Sequence, residues 1–74
     1  MKHDRITTDP KVMFGKPVIQ GTRVTVEQVL RKLASGKSTE AILEDHPHLA
    51  VEDVYAALSY AADYLAAEEM LSAA

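Results

Sequence analysis

The side chains best placed to do chemistry in this 74-residue chain are cationic: Arg5, Lys11, Lys16 and Arg23, threaded among turn signals in the first third of the sequence. Arg31, Lys32 and Lys37 follow them. Guanidinium and ammonium groups recognise phosphates and carboxylates, Arg through a planar fork of donors and Lys as a point charge. Arg23 directly follows Gly21-Thr22, a tight turn that can present its donors to either anion. All eight Lys and Arg fall between Lys2 and Lys37, opposed there only by Asp4, Asp9 and Glu27; from Ser38 onward come eight acids and no Lys or Arg. Such asymmetry points to different partners for the two halves, or to a head-to-tail fit within an assembly. The competing assignment is intramolecular pairing, with an internal salt bridge from Arg23 pinning the front segment to the acidic helices.

Other chemistries lack their residues. There is no cysteine, so disulfides, thiolate metal sites and a Cys nucleophile are excluded together. Ser35, Ser38, Ser59 and Ser72 lack the G-x-S-x-G context of a nucleophile elbow. Glu44-Asp45, Glu52-Asp53 and Glu68-Glu69 are adjacent pairs, and neighbours on a helix point about 100° apart and do not converge as an acid–base dyad. His46-x-His48 has no third ligand at a diagnostic spacing, so a polar turn around Pro47 is the simpler assignment. The glycines at 15, 21 and 36 form no phosphate-loop pattern. We therefore expect a protein that binds rather than catalyses, with no cofactor, metal or small-molecule substrate.

The elements that must carry these residues follow from the punctuation. Asp9-Pro10, Gly15-Lys16-Pro17 and Gln20-Gly21 divide residues 3–25 into the short pieces Arg5-Ile6-Thr7, Val12-Met13-Phe14, Pro17-Val18-Ile19 and Thr22-Arg23-Val24, which read as strands of a small hairpin or meander. The period then changes. Thr25 and Gln28 form a capping box, and Val26, Val29, Leu30, Leu33 and Ala34 make one apolar stripe, predicting a helix over 26–35 stopped by Gly36. Ser38 or Thr39 caps a short second helix over 39–45, ended by Pro47. A third helix runs over 51–70, with Glu52 and Asp53 complementing its dipole and a frayed tail over 71–74. The fold class is a mostly α single domain over 1–74: a three-helix, helix-turn-helix-like bundle preceded by short strands.

The third helix carries two stripes. Val51, Val54, Leu58, Ala61 and Leu65 form one; Ala57, Tyr60, Tyr64, Ala67 and Leu71 form the other, with small and flat side chains suited to close helix contact. Three helices leave little to cover the second stripe, so a homodimer or partner interface is expected there, the alternative being a β-segment folded back over it. A stapleless scaffold of this size also gains from oligomerising. If the third helix acted as a recognition helix, its outer residues Glu52, Ala56, Ser59 and Asp63 would bring acid to DNA, which disfavours groove insertion; any DNA contact falls to the cations of the β-segment. Asp63 interrupts the apolar end, no membrane segment is expected, and Met1-Lys2-His3-Asp4-Arg5 lacks a signal peptide's apolar core, so a cytoplasmic location is expected.

In order, Asp9-Pro10-x-Val12, Gly15-Lys16-Pro17-x-Ile19-x-Gly21-Thr22-Arg23-Val24, Ile42-Leu43-x-x-x-Pro47-x-Leu49-x-x-Glu52-Asp53-Val54 and Ala57-Leu58-x-Tyr60-Ala61 resemble the small prokaryotic domain-of-unknown-function family 433, over about residues 4–65. The resemblance implies a helix-turn-helix-like domain, typically dimeric, of a VapB-like antitoxin kind. Such a protein pairs with a PIN-like ribonuclease toxin and can bind its own operator DNA. The other function considered is a homodimeric interaction module with no nucleic-acid role. Ala50 departs from the family pattern, which usually has a hydroxyl residue capping the third helix; the loss should weaken that helix start by about 1 kcal/mol.

Overall fold

A computed structural model describes residues 3–72 and the side chains of 3–67. Two two-residue strands, β1 (Ile6–Thr7) and β2 (Val18–Ile19), pair antiparallel with Ile6 opposite Ile19 and Thr7 opposite Val18. Three helices follow: α1 (Val26–Ala34), α2 (Thr39–Asp45) and α3 (Val51–Ser72). The architecture is a small helical bundle carrying a two-stranded hairpin at its N-terminal side, in agreement with the expected class.

Local chemistry sets the boundaries. Thr25 accepts the Gln28 N–H through its hydroxyl while the Gln28 side chain accepts the Thr25 N–H, a complete capping box. At the far end Gly36 takes φ +97°, the Gly36 N–H donates to Leu33 and the Lys37 N–H to Lys32, the double bond of a Schellman motif. Ser38 caps α2 through the Ala41 N–H. Ala50 brings no side-chain cap to α3, and the structure compensates: the Ala50 N–H donates to Asp53 Oδ2 at 2.8 Å. The reach-back half of a capping box is kept although its hydroxyl half is missing.

Two of the expected strand pieces are not strands. Residues 12–14 feed a left-handed turn in which Met13, Phe14 and Gly15 have φ of 49°, 59° and 81°. It is closed by the Gly15 N–H to Val12 and the Lys16 N–H to Met13. Residues 22–24 form a loop, tied by the Val24 N–H to the Thr22 hydroxyl, with one isolated bridge between Val18 and Thr25. Apolar content alone could not separate strand from turn in pieces of three residues.

The core joins all layers: Ile19 of the hairpin, Val26 and Val29 of α1, Ile42 of α2, Leu49, and Val54 and Ala57 of α3. Its line along α3 runs between the two expected stripes. Val54 and Ala57, one from each stripe, are fully buried, whereas Leu58 and Leu65 of the first stripe are 43% and 62% exposed. The reason is partly length. The 22 residues of α3 span about 33 Å and the nine of α1 only about 14 Å, so the C-terminal half of α3 extends past its cover. The helix continues through 71 and 72, where fraying was expected, and the rest of that expected tail, 73 and 74, lies outside the described residues. Among the described residues, no helix is long and apolar enough to cross a membrane.

Candidate interaction surfaces

The four cations expected to meet an anionic partner divide into two pairs. Arg5 donates from Nη1 to Asp53 Oδ1 at 3.0 Å, joining the start of β1 to the first turn of α3. Lys16 donates to Glu27 at 3.1 Å. Each thus has a carboxylate of its own chain beside it, while both side chains stay half exposed. Lys11 and Arg23, by contrast, are exposed, and among the described residues their side chains have no acidic partner. Arg23 edges an open cleft of about 450 Å³ also lined by Thr7, Val12, Gly21 and Thr22, with Asp9 on its wall. Among the described residues, the internal salt bridge considered for Arg23 does not form.

Three further cations are also engaged. Arg31 bonds Glu27 one turn away, and Lys32 and Lys37 both bond Asp45, linking the end of α1 to the end of α2. The Arg31 and Lys16 hydrogen bonds hold the Glu27 carboxyl below its usual range, and Lys37 and Lys32 do the same for Asp45. His46 lies against Lys32, Nε2 to Nζ 3.0 Å, and burial followed by the Lys32 charge lowers its pKa. An ammonium donating to a neutral imidazole explains the contact. His48 is exposed, and among the described residues no three His, Cys, Asp or Glu side chains are grouped to hold a metal ion.

With those pairs made, the surplus is acidic. Glu40 and Glu44 on α2 and Glu52 on α3 are exposed, and among the described residues they have no ionic partner. Asp63 meets His3 at 2.8 Å, and His3 in turn packs edge-on against Tyr60.

The five residues expected at an interface are also divided. Ala57 is 0% exposed inside the subunit and contributes nothing to an outer surface, which corrects its assignment. Tyr60 is half-buried beneath His3, so the N-terminal segment does fold back over part of this stripe. Tyr64 stacks on Tyr60 at 6.5 Å yet stays 63% exposed, Ala67 is exposed, and the Leu71 side chain lies outside those described. Tyr60, Tyr64 and Leu65 form one wall of an apolar groove of about 360 Å³, with Pro17, Val26 and Leu30 opposite.

The sequence reading missed the most exposed large apolar side chain, Phe14, at 94%. The signal was present: the chain's one Phe lies in a segment punctuated by Pro10, Gly15 and Pro17. The reading also missed Asp53, taken only as a helix-start charge, which binds both Arg5 and the Ala50 amide.

The site is thus set on a hairpin-fronted three-helix bundle with mostly paired cations, exposed acids and an open apolar groove. The chain belongs to the family described as protein of unknown function DUF433, whose model matches residues 6–61. It is similar to the uncharacterized protein y4eO of Sinorhizobium fredii, at 41% identity over 56 residues, 76% of this chain. It therefore spans about a quarter (25%) of that relative's length. It is also similar to the crystal structure of a DUF433 member from Anabaena variabilis, with TM-score 0.79 and 26% identity, over 95% of this chain and 69% of that one.

Proposed function

We propose that this protein is a non-enzymatic, antitoxin-like binding module of the cytoplasm whose acidic face covers a basic surface on a protein partner, a PIN-like ribonuclease toxin being the partner type considered. One observation carries this reading: Arg5, Lys16, Arg31, Lys32 and Lys37 are matched by the chain's own carboxylates, while Glu40, Glu44 and Glu52 stay exposed with no ionic partner among the described residues. A residual acidic field steers a cationic protein and repels a polyphosphate. The match of this unit to a quarter of y4eO fits a module that also occurs within longer chains. Inhibition by occlusion needs no catalytic group.

The test is co-expression with the product of the adjacent gene. The expected result is a complex on size exclusion that weakens as salt rises and is lost in the Glu40→Gln, Glu44→Gln, Glu52→Gln variant, with circular dichroism confirming the fold. A complex indifferent to the triple substitution, or none at all, overturns it. Operator binding is the second reading, favoured by Lys11 and by Arg23 at the 450 Å³ cleft, neither of which has an acidic partner among the described residues. A mobility shift with upstream DNA that disappears in Arg23→Ala supports it, and no shift at low salt removes it.

A further inference from the structure

The outer face of the hairpin carries a site that packing of the three helices does not explain. Ile19 belongs to the core, so its strand neighbour Val18 points to the opposite face of the hairpin. Val18 is nevertheless only 1% exposed, although it stands outside the core cluster. Its cover is on that outer side. Together with Thr7, its partner across the ladder, Val18 lines the cleft of about 450 Å³.

Two turns make the walls of this cleft, and hydrogen bonds fix both. On one side Asp9 Oδ1 accepts the Lys11 N–H at 2.9 Å and the Asp9 carbonyl accepts the Val12 N–H at 2.8 Å. These bonds set the direction of the Asp9 carboxylate and leave Oδ2 to accept from elsewhere. On the other side Gly21 takes φ +80°, and the Thr22 hydroxyl donates to the Ile19 carbonyl at 2.8 Å while accepting the Val24 N–H at 3.0 Å. The turn that carries Arg23 is therefore closed before and after it. Asp9 and Arg23 line one cleft with opposite charges, yet among the described residues neither forms an ion pair, with the other or with any third group. Arg5, Lys16, Arg31, Lys32 and Lys37 all reach a carboxylate of the chain. A long Arg that does not reach the acid of its own cleft is held apart from it by the walls.

We propose that the cleft binds a small zwitterion of the amino-acid type. The ligand's carboxylate lies on the Arg23 guanidinium, its ammonium on Asp9 Oδ2, and its apolar body on Val12 and Val18. Each part of the ligand answers a feature of the site. The guanidinium fork matches a carboxylate with two parallel bonds, and an ammonium supplies the donors that Oδ2 lacks. The volume falls within the roughly 300–1,000 Å³ of small-molecule sites. A nucleic-acid phosphate fits less well, because it brings no cation to Asp9 and is repelled by it. The cleft is on the hairpin, so its occupancy is independent of the acidic partner surface proposed above.

Amide correlation spectra of the ¹⁵N-labelled full chain test this, in titrations with leucine, 4-methylpentanoate (the same body without the ammonium), 3-methylbutylamine (without the carboxylate) and inorganic phosphate. Leucine should give saturable shifts at residues 7–12 and 21–24, with a dissociation constant on the order of 1 mM. Each half-ligand should bind at least tenfold more weakly. Arg23→Gln and Asp9→Asn should each weaken leucine binding at least tenfold. Both positions are exposed and Asn keeps an acceptor for the Lys11 N–H, so spectra unchanged elsewhere serve as the control for folding. The sign at Asp9 is decisive. A plain anion site binds 4-methylpentanoate or phosphate more tightly once Asp9 is neutral, and that result, with leucine no better than 4-methylpentanoate, overturns the proposal. So does the lack of a saturable shift with leucine or any other standard amino acid.

Discussion

Replacing Asp53 tests how this small domain is held together. The residue is 8% exposed; Oδ1 accepts from Arg5 at 3.0 Å and Oδ2 accepts the Ala50 N–H at 2.8 Å, so one carboxylate fastens the front segment to α3 and closes that helix's first turn. In Asp53→Ala the Ala50 amide loses its acceptor, a capping loss of about 0.5–2 kcal/mol. A negative charge leaves the helix N-terminus, at roughly 0.3–1 kcal/mol. The Arg5 bond is discounted to about 0.5–1 kcal/mol because the Arg5 side chain is half exposed and returns to water. Together these predict a loss of about 1–4 kcal/mol, against a total of about 4–11 kcal/mol for a chain of this length. Asp53→Asn retains an acceptor for the amide and should lose about half as much. In urea, with m near 1 kcal/mol/M, the Asp53→Ala midpoint should fall by about 1–4 M when followed by the helical circular dichroism signal. A shift under about 0.5 M would refute the assignment of Asp53 as the joint. A zero coupling energy in the Arg5→Ala, Asp53→Ala double-mutant cycle would refute the Arg5 part alone.

Three further perturbations probe other links. Thr25→Ala should lower stability by about 0.5–2 kcal/mol, read from the urea midpoint, because it opens the capping box of α1; an unchanged midpoint counts against the cap. His46, whose pKa is lowered by burial and then by Lys32, binds its proton more readily in the unfolded chain. Its contribution is therefore complete above the unfolded value of about pH 6.5 and is lost as pH falls below it; His46→Gln should flatten the midpoint's slope in that window, and an equal slope in both proteins would rule the residue out. Phe14→Gly, which relieves a left-handed residue, should leave thermal stability unchanged or raise it by up to about 1 kcal/mol; a loss of that size would mean the ring packs within its own subunit.

Much of the helical part was legible because caps and stops are short-range chemistry. Thr25 with Gln28, Gly36 and Ser38 act within four residues of themselves, and the bonds they make are those their types predict. The hairpin's geometry was less legible. Val12-Met13-Phe14 has strand-like composition, and its left-handed turn depends on Gly15 and on closure by the Val12 and Met13 carbonyls, which composition does not encode. Pairing of charges was least legible. Arg5 finds Asp53 at a separation of 48 residues while Arg23 finds no acid among the described residues, although both sit in similar local sequence. Which cation is neutralised is decided by where α3 packs across the hairpin, a tertiary fact.

The same packing explains why the exposed apolar surface gathers where it does. Core contacts hold α3 through Ala57, and Tyr60 is capped by His3. Beyond that point α1 has ended, and Tyr64, Leu65 and Ala67 lie open on a helix that continues to Ser72. The Ala-rich sequence 61–67 lets the helix persist on propensity alone, but propensity does not require a Tyr stacked on Tyr60 or a Leu at the groove wall. Those two side chains expose apolar area that stabilises nothing in the isolated subunit, and hydrophobic burial is proportional to area removed from water. Covering them with another surface would remove that area from water. Tyr64 and Leu65 lie past the middle of α3, whereas the exposed Glu40, Glu44 and Glu52, which have no ionic partner among the described residues, lie on α2 and at the start of α3.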